Sequence, residues 1–276
     1  REKARGAHSA DLLMDADSLE LAWLLDTECQ AVLARVAKLL ADCAEDLEVD
    51  EDAKPEAVRG GDIDEGRGMR FSAALNGRRI EALQVQLALP ELDREAPLRC
   101  SLAAPAQRAK QLVLPQLLAW RRWLGEALAL LATPLPATCA TLYSADAAVS
   151  RLTQLLGRLL GVLHAAMPAA PSELSAEVTR LMQPALPEAW RLDISVAAEP
   201  PRVVVSAYPP RAAGAAGEGY GAPTHAAAVA PSLERGVARA ETAQRLCTDL
   251  AAKLRLHVEL RSGRNPPAAQ GRSAVI

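Results

Sequence analysis

The sequence predicts an α+β fold: an antiparallel helical bundle closed by N- and C-terminal helices, with a smaller antiparallel β-domain built from two insertions. Three observations carry this expectation. Long segments of helical period stand first, in the middle and last, and segments of period two lie between them. Half of the residues (50%) are apolar but only 3% are aromatic, so the core has to be built from Leu, Ala and Val, as in packed helices. At 276 residues the chain is long enough for one large domain or two small ones.

The first helix runs from Asp17 to Glu48 without proline or glycine. Ala22, Leu25, Cys29, Val32, Val36, Leu39 and Cys43 recur at steps of three and four, which puts them on one stripe. Leu33 and Leu40 widen that stripe beyond a bare coiled-coil seam. Asp17 and Glu20 place acidic groups where the free amides and the positive dipole end favour them. The acidic, glycine-containing stretch 49–68 has no period and reads as a flexible surface loop. Phe71, Ala73 and Leu75 then alternate with polar or small residues, Asn76-Gly77 signals a hairpin turn, and Leu83, Val85, Leu87 and Leu89 alternate in return. Leu98, Cys100 and Leu102 supply a third strand after the turn around Pro90.

Helical period returns from Pro115 to Leu131, with Leu117, Trp120, Leu124, Ala127 and Leu131 on one face and Pro115 in the tolerant first turn. Thr133-Pro134-Leu135-Pro136 ends that helix. The next spans about Ala145 to Ala166, with Val149, Leu152, Leu156, Leu159, Leu163 and Ala166 in steps of three and four before Pro168 stops it. Gly157 and Gly161 within it predict close helix packing. Ser172 opens a short helix, and Pro184-Ala185-Leu186-Pro187 turns the chain into a second hairpin, with Leu192, Ile194 and Val196 on one strand and Val203 to Val205 on the other. The Ala, Gly and Pro-rich stretch 209–231 reads as a second flexible loop. Ser232 to about Arg261 is the last helix, with Val237, Ala240, Cys247, Leu250 and Leu254 sharing a face. The expected division assigns 17–48, 107–166 and 232–262 to the bundle and 69–103 with 172–208 to the β-domain, whose single sheet combines strands from both insertions because a lone hairpin is marginal in water.

Charge and chemistry exclude several classes. The net charge of −3 and the scattered arginines give no case for a nucleic-acid or anionic-membrane partner. Five cysteines without close pairs, such as Cys29 and Cys247 at helical core positions, read as small apolar side chains of a reducing compartment. The first residues lack the apolar stretch of a signal peptide, and Arg158 or prolines interrupt the longest apolar runs, so neither secretion nor direct membrane insertion is expected, and the localisation predicted is cytoplasmic. His8, His164, His225 and His257 have no partners at ligand spacing, so no metal is expected. Gly214, Gly217, Gly219 and Gly221 lack the lysine of a phosphate loop and read as mobile chain, so no cofactor is expected. Ser206 and Ser232 have no nucleophile-elbow surroundings, and Asp50, Glu51 and Asp52 read as solvated loop charge. No catalytic residue follows from these positions.

Three segments carry a resemblance. Trp23-Leu24-Leu25-x-x-Glu28-x-x-Ala31-Val32-Leu33 in the first helix resembles the opening helix of the Rogdi family. Thr179-Arg180, Pro184-Ala185-Leu186-Pro187 and the strand at Leu192, Ile194 and Val196 are similar to that family's corresponding turn and strand. Leu246-Cys247-x-x-Leu250-x-x-Lys253-Leu254 in the last helix resembles it more weakly. The likeness covers essentially the whole chain and implies a helical bundle with an adjoining β-domain. It also implies a non-enzymatic subunit of a RAVE-type complex, which acts with a rabconnectin-like WD-repeat protein and with subunits of the vacuolar-type proton ATPase. There the complex promotes reassembly of the soluble catalytic sector of the pump on its membrane sector, with peripheral recruitment to vacuolar or endosomal membranes. The motif residues look structural, and the resemblance transfers no partner-binding residue. The alternative is a helical adaptor or scaffold in vesicle trafficking with other partners; an enzyme ranks third.

Overall fold

The computed structural model describes residues 18–64, 67–92, 96–103, 111–163, 170–198, 201–211 and 219–264. Helical residues 18–23 lead through a π-helical stretch, Leu24–Cys29, into α1, Gln30–Asp46. The other long helices are α2, Pro115–Leu131, α3, Leu142–Leu163, and α5, Pro231–Arg264; the shorter α4 is Glu173–Leu181. A single helical turn, Leu135–Thr138, precedes α3. The first sheet has five antiparallel strands in the order β1 (Glu56–Asp64), β2 (Arg67–Asn76), β3 (Arg79–Ala88), β4 (Leu98–Leu102) and β5 (Met182–Gln183). The second has three, β6 (Arg191–Ala198), β7 (Pro201–Tyr208) and β8 (Thr224–Val229), in that order.

The expected bundle closed by the terminal helices, with a small β-domain beside it, is not the architecture. The α+β class holds, but the strands form two separate antiparallel sheets of five and three. The extended close approaches of backbone are between neighbouring strands, between α4 and β6, and between β8 and the β1–β2 pair; no helix pair is among them in the described residues. The physical reason is that an apolar stripe says a helix face is covered and not by what. Clustering of contacts gives two compact units, each discontinuous in sequence. Among the described residues, one takes 18–40, Glu126–Gly157 and 242–264; the other lies within Ala41–Gly125 and Arg158–Glu241 and contains β1 to β8.

Along the first helix the buried side chains are Leu21, Leu24, Leu25, Cys29, Leu33, Val36, Leu40, Cys43 and Leu47. Leu25, Cys29, Val36 and Cys43 of the expected stripe are thus buried with the widening Leu33 and Leu40, whereas Ala22 is exposed and Val32 and Leu39 are half-buried. The π-helical stretch holds an extra residue and shifts the phase upstream of Cys29, where Leu21 is buried in place of Ala22. From Cys29 onward the steps alternate four and three, the period of a zipper seam. On α3, Gly157 and Gly161 face outward, contrary to the close packing expected. A Cβ at Gly157 would meet only Gln244 Nε2, at 3.7 Å, and at Gly161 nothing within 4 Å. The face bearing Leu152, Leu156, Leu159 and Leu163 is the one that is buried.

Strand periodicity places the first sheet. Val58, Met69, Phe71, Ala73, Leu75, Ile80, Leu83, Val85, Leu87, Leu98, Cys100, Leu102 and Met182 are buried on its inner face. Asn76 pairs with Arg79, which leaves Gly77-Arg78 as the two turn residues. Gly77 has φ +53°, and a Cβ there would lie 2.4 Å from the Glu48 carbonyl oxygen, so this turn requires glycine.

Two strands lie in stretches expected to be flexible. β1 falls within 49–68 and β8 within 209–231. Each is reduced to glycine or alanine where the two approach each other, at Gly60 and Gly61 on β1 and at Ala226 to Ala228 on β8. A Cβ at Gly60 on β1 would stand 2.2 Å from the Ala227 carbonyl oxygen of β8, so only small residues fit at this crossing. Glu56 ties the same region to α5: its carboxylate accepts from the Ser232 amide at 3.1 Å and from the Ser232 hydroxyl in the first turn of the helix. Glu56→Ala is expected to cost about 1 kcal/mol in urea unfolding. Glu56→Gln is expected to recover part of that, since an amide oxygen still accepts from the Ser232 amide.

Candidate functional site

The first and third motifs meet within one unit. Leu24, Leu25 and Leu33 of the first motif point inward, as do Cys247, Leu250 and Leu254 of the third, while Val32 and Leu246 are half-buried. Glu28 and Lys253 form an ion pair between the two helices. Trp23 of the first motif does not serve the core: it is 55% exposed, with Leu19 one turn before it also in solvent. Leu256 and Leu260, one turn apart on α5 beyond Lys253, are likewise exposed. Exposed aromatic and leucine side chains at helical spacing are the residue types that anchor protein interfaces.

The second motif holds α4 against β6. Thr179 donates through its hydroxyl to the Ser175 carbonyl at 2.7 Å and accepts from the Leu192 amide at 2.9 Å. Pro184 follows a cis peptide bond, Pro184 and Ala185 are exposed, and Leu186 and Pro187 are half-buried. The Pro187 carbonyl accepts from the amide of the buried Trp190, which closes the turn. Asp193, buried on β6, accepts from the Ser172 amide at 2.9 Å and the Ser172 hydroxyl at 2.7 Å, so the start of α4 is fastened to the sheet by a carboxylate. These residues position elements, as expected for a structural motif.

The chemistry-bearing side chains weighed from sequence are placed as follows. Ser206 on β7 shares a hydrogen bond of 2.7 Å with His225 Nδ1 on β8, and Asp193 pairs with Ser206 across the second sheet. Sequence spacing gave no sign of this row. It is nonetheless no nucleophile relay: Ser206 stands between the acid and the imidazole, is 1% exposed, and Asp193 is occupied by Ser172. Burial lowers the His225 pKa below its ordinary value. Ser232 belongs to the first turn of α5 and is bonded to Glu56. His8, His164, Gly214 and Gly217 lie outside the described residues.

All five cysteines are buried thiols. Desolvation pushes Cys43 and Cys247 up to about 12 and Cys100 to about 11, and Cys29 is raised too, first by desolvation and then by its hydrogen bond with Cys139. Cys139 donates to Cys29 with the sulfurs 3.2 Å apart. Thiols held protonated in this way are poor nucleophiles and poor metal ligands. No helix among the described residues is long and apolar enough to cross a membrane.

A comparison with curated proteins gives no match. A family model described as Rogdi leucine zipper containing protein matches residues 20–208, a span that includes the Trp23 helix and the Pro184 turn but not the third motif on α5. The match covers more than half of the 276 residues, and the chain therefore belongs to the Rogdi leucine zipper containing protein family.

Proposed function

We propose that this protein is a non-enzymatic assembly and regulatory factor of the vacuolar-type proton ATPase, acting as the Rogdi-like subunit of a RAVE-type complex. Its partner is a rabconnectin-like WD-repeat protein, and the complex is recruited peripherally to vacuolar or endosomal membranes to promote reassembly of the catalytic sector on the membrane sector. The observation that carries this reading is the family match over residues 20–208. The exposed Trp23 within the family motif supports it, because a large aromatic left in solvent on a packed helix is the kind of side chain a protein partner covers.

The test is affinity purification of tagged protein from its own cells in mild detergent, with mass spectrometry of what co-purifies, before and after conditions that disassemble the pump. Recovery of a WD-repeat protein of the rabconnectin kind with pump subunits is the expected result; a folded protein that brings down neither overturns the assembly role. Trp23→Ala is expected to leave the melting temperature nearly unchanged, since the side chain is already solvated, and to reduce recovery of the WD-repeat protein about tenfold. Undiminished recovery with the variant removes Trp23 from the interface.

A further inference from the structure

The outer face of the five-stranded sheet is not assigned by the family resemblance, and its composition is specific. Following the register across the strands, one row reads Arg59, Ser72, Gln84, Ser101 and Gln183 from β1 to β5. The next row reads Gly61, Arg70, Gln86 and Arg99 from β1 to β4. To one side of these rows lie Ala57, Ala74 and Ala82. No acidic residue, aromatic ring or large apolar side chain occurs in the two rows, although the whole chain is acidic with a net charge of −3. A depression of about 270 Å³ opens on this face between Arg59, Arg70, Ser72, Gln84 and Gln86.

The arginines differ in what they hold. Arg70 donates through Nη2 to Asp62 Oδ1 at 2.7 Å, and this contact keeps the solvent-exposed Asp62 carboxyl below the ordinary carboxylate range. Arg59 and Arg99 are exposed and have no acidic partner among the described residues. Two strand spacings put Arg70 and Arg99 about 10 Å apart, with the Gln86 amide between them. We infer that this face docks an acidic polypeptide segment of a partner protein, its carboxylates taken by Arg59 and Arg99 and its backbone amides by Gln84 and Gln86.

Charge complementarity selects the occupant. A guanidinium offers a carboxylate paired donors, and Arg70 already holds the Asp62 carboxylate through one nitrogen. Gln side chains both donate and accept, which suits a peptide group. A nucleic acid calls for a larger basic surface and for aromatic stacking partners, and a bilayer calls for apolar side chains to bury; these rows have neither. The inference is independent of which complex the protein serves, so its failure leaves the pump reading intact and the reverse also holds.

Fluorescence anisotropy of a labelled peptide of alternating glutamate and serine, titrated with the full chain at low salt, tests it. Saturable binding that weakens as salt rises is expected, with about tenfold loss in the double variant Arg59→Glu/Arg99→Glu and no loss in the charge-matched variant Arg151→Glu/Arg255→Glu, whose positions are exposed in the other unit. If the charge reversals lower the melting temperature, Arg59→Gln/Arg99→Gln serves in their place and is expected to weaken binding in the same direction. Absence of peptide binding, equal affinity in the sheet-face and control variants, or tighter arginine-dependent binding of phosphatidylserine vesicles or single-stranded RNA than of the peptide would each overturn the proposal.

Discussion

Replacing Leu250 by aspartate is expected to leave the protein unfolded or aggregated at neutral pH. Leu250 is 2% exposed on α5, and the neighbouring positions of its face, Cys247 and Leu254, are fully buried. Two costs add. Removing the leucine side chain from a packed site costs about 2–5 kcal/mol, as Leu250→Ala is expected to show by itself. The aspartate brings a carboxylate that loses its water without a cation to receive it, for several further kcal/mol unless it takes up a proton. The sum matches the entire stability of an ordinary domain, about 5–15 kcal/mol. Urea or thermal unfolding of the wild type, Leu250→Ala and Leu250→Asp separates the two contributions. Ordinary unfolding of the aspartate variant would sink the placement of this face of α5 in a packed interior. The charged Lys253 nearby does not rescue it, because Lys253 is exposed and paired with Glu28.

The helices were legible because their signal is local. Steps of three and four located α1, α2, α3 and α5 to within a few residues, and in α2 the expected Leu117, Trp120, Leu124 and Ala127 are all buried. Phase within a helix was less so. The extra residue at Leu24–Cys29 moved the buried position before it from Ala22 to Leu21, and nothing in residue type announces a π-helical stretch. What covers a helix face was not legible at all, which is why a bundle was expected where two sheets contribute much of the structure. The pairing of Glu28 with Lys253 joins residues 225 positions apart, and no local pattern encodes it. The same holds for the arginines of the sheet face: each falls at a polar position of an alternating strand, and only the register puts Arg70 and Arg99 in one row with Gln86.

The strands missed from sequence point to the second large effect, at Gly60. Strand signals depend on alternating β-branched and aromatic side chains, and β1 and β8 replace them with glycine and alanine where the two strands meet, for a physical reason. β8 carries Ala226, Ala227 and Ala228, and β1 meets it with Gly60 and Gly61. A Cβ on Gly60 would lie 2.2 Å from the Ala227 oxygen, 2.6 Å from its carbonyl carbon and 2.7 Å from Ala228 Cβ. Two of these atoms are backbone, so no side-chain rotation relieves the clash and the strand itself must move. Moving β8 disturbs its pairing with β7, which runs from Thr224 to Val229. Gly60→Ala is therefore expected to cost about 3 kcal/mol, at the upper end of overpacking, and Gly60→Val more. Hydrogen exchange gives the more specific readout: amides of β7 and β8 are expected to lose protection before those of α3. Gly161→Ala is the matched control, since a Cβ there meets nothing within 4 Å, and in a helix it is expected to stabilise by about 0.5–1 kcal/mol. If Gly60→Ala melts like the wild type while Gly161→Ala is stabilised, β8 does not lie against β1 as described, and the small residues of both strands need another explanation.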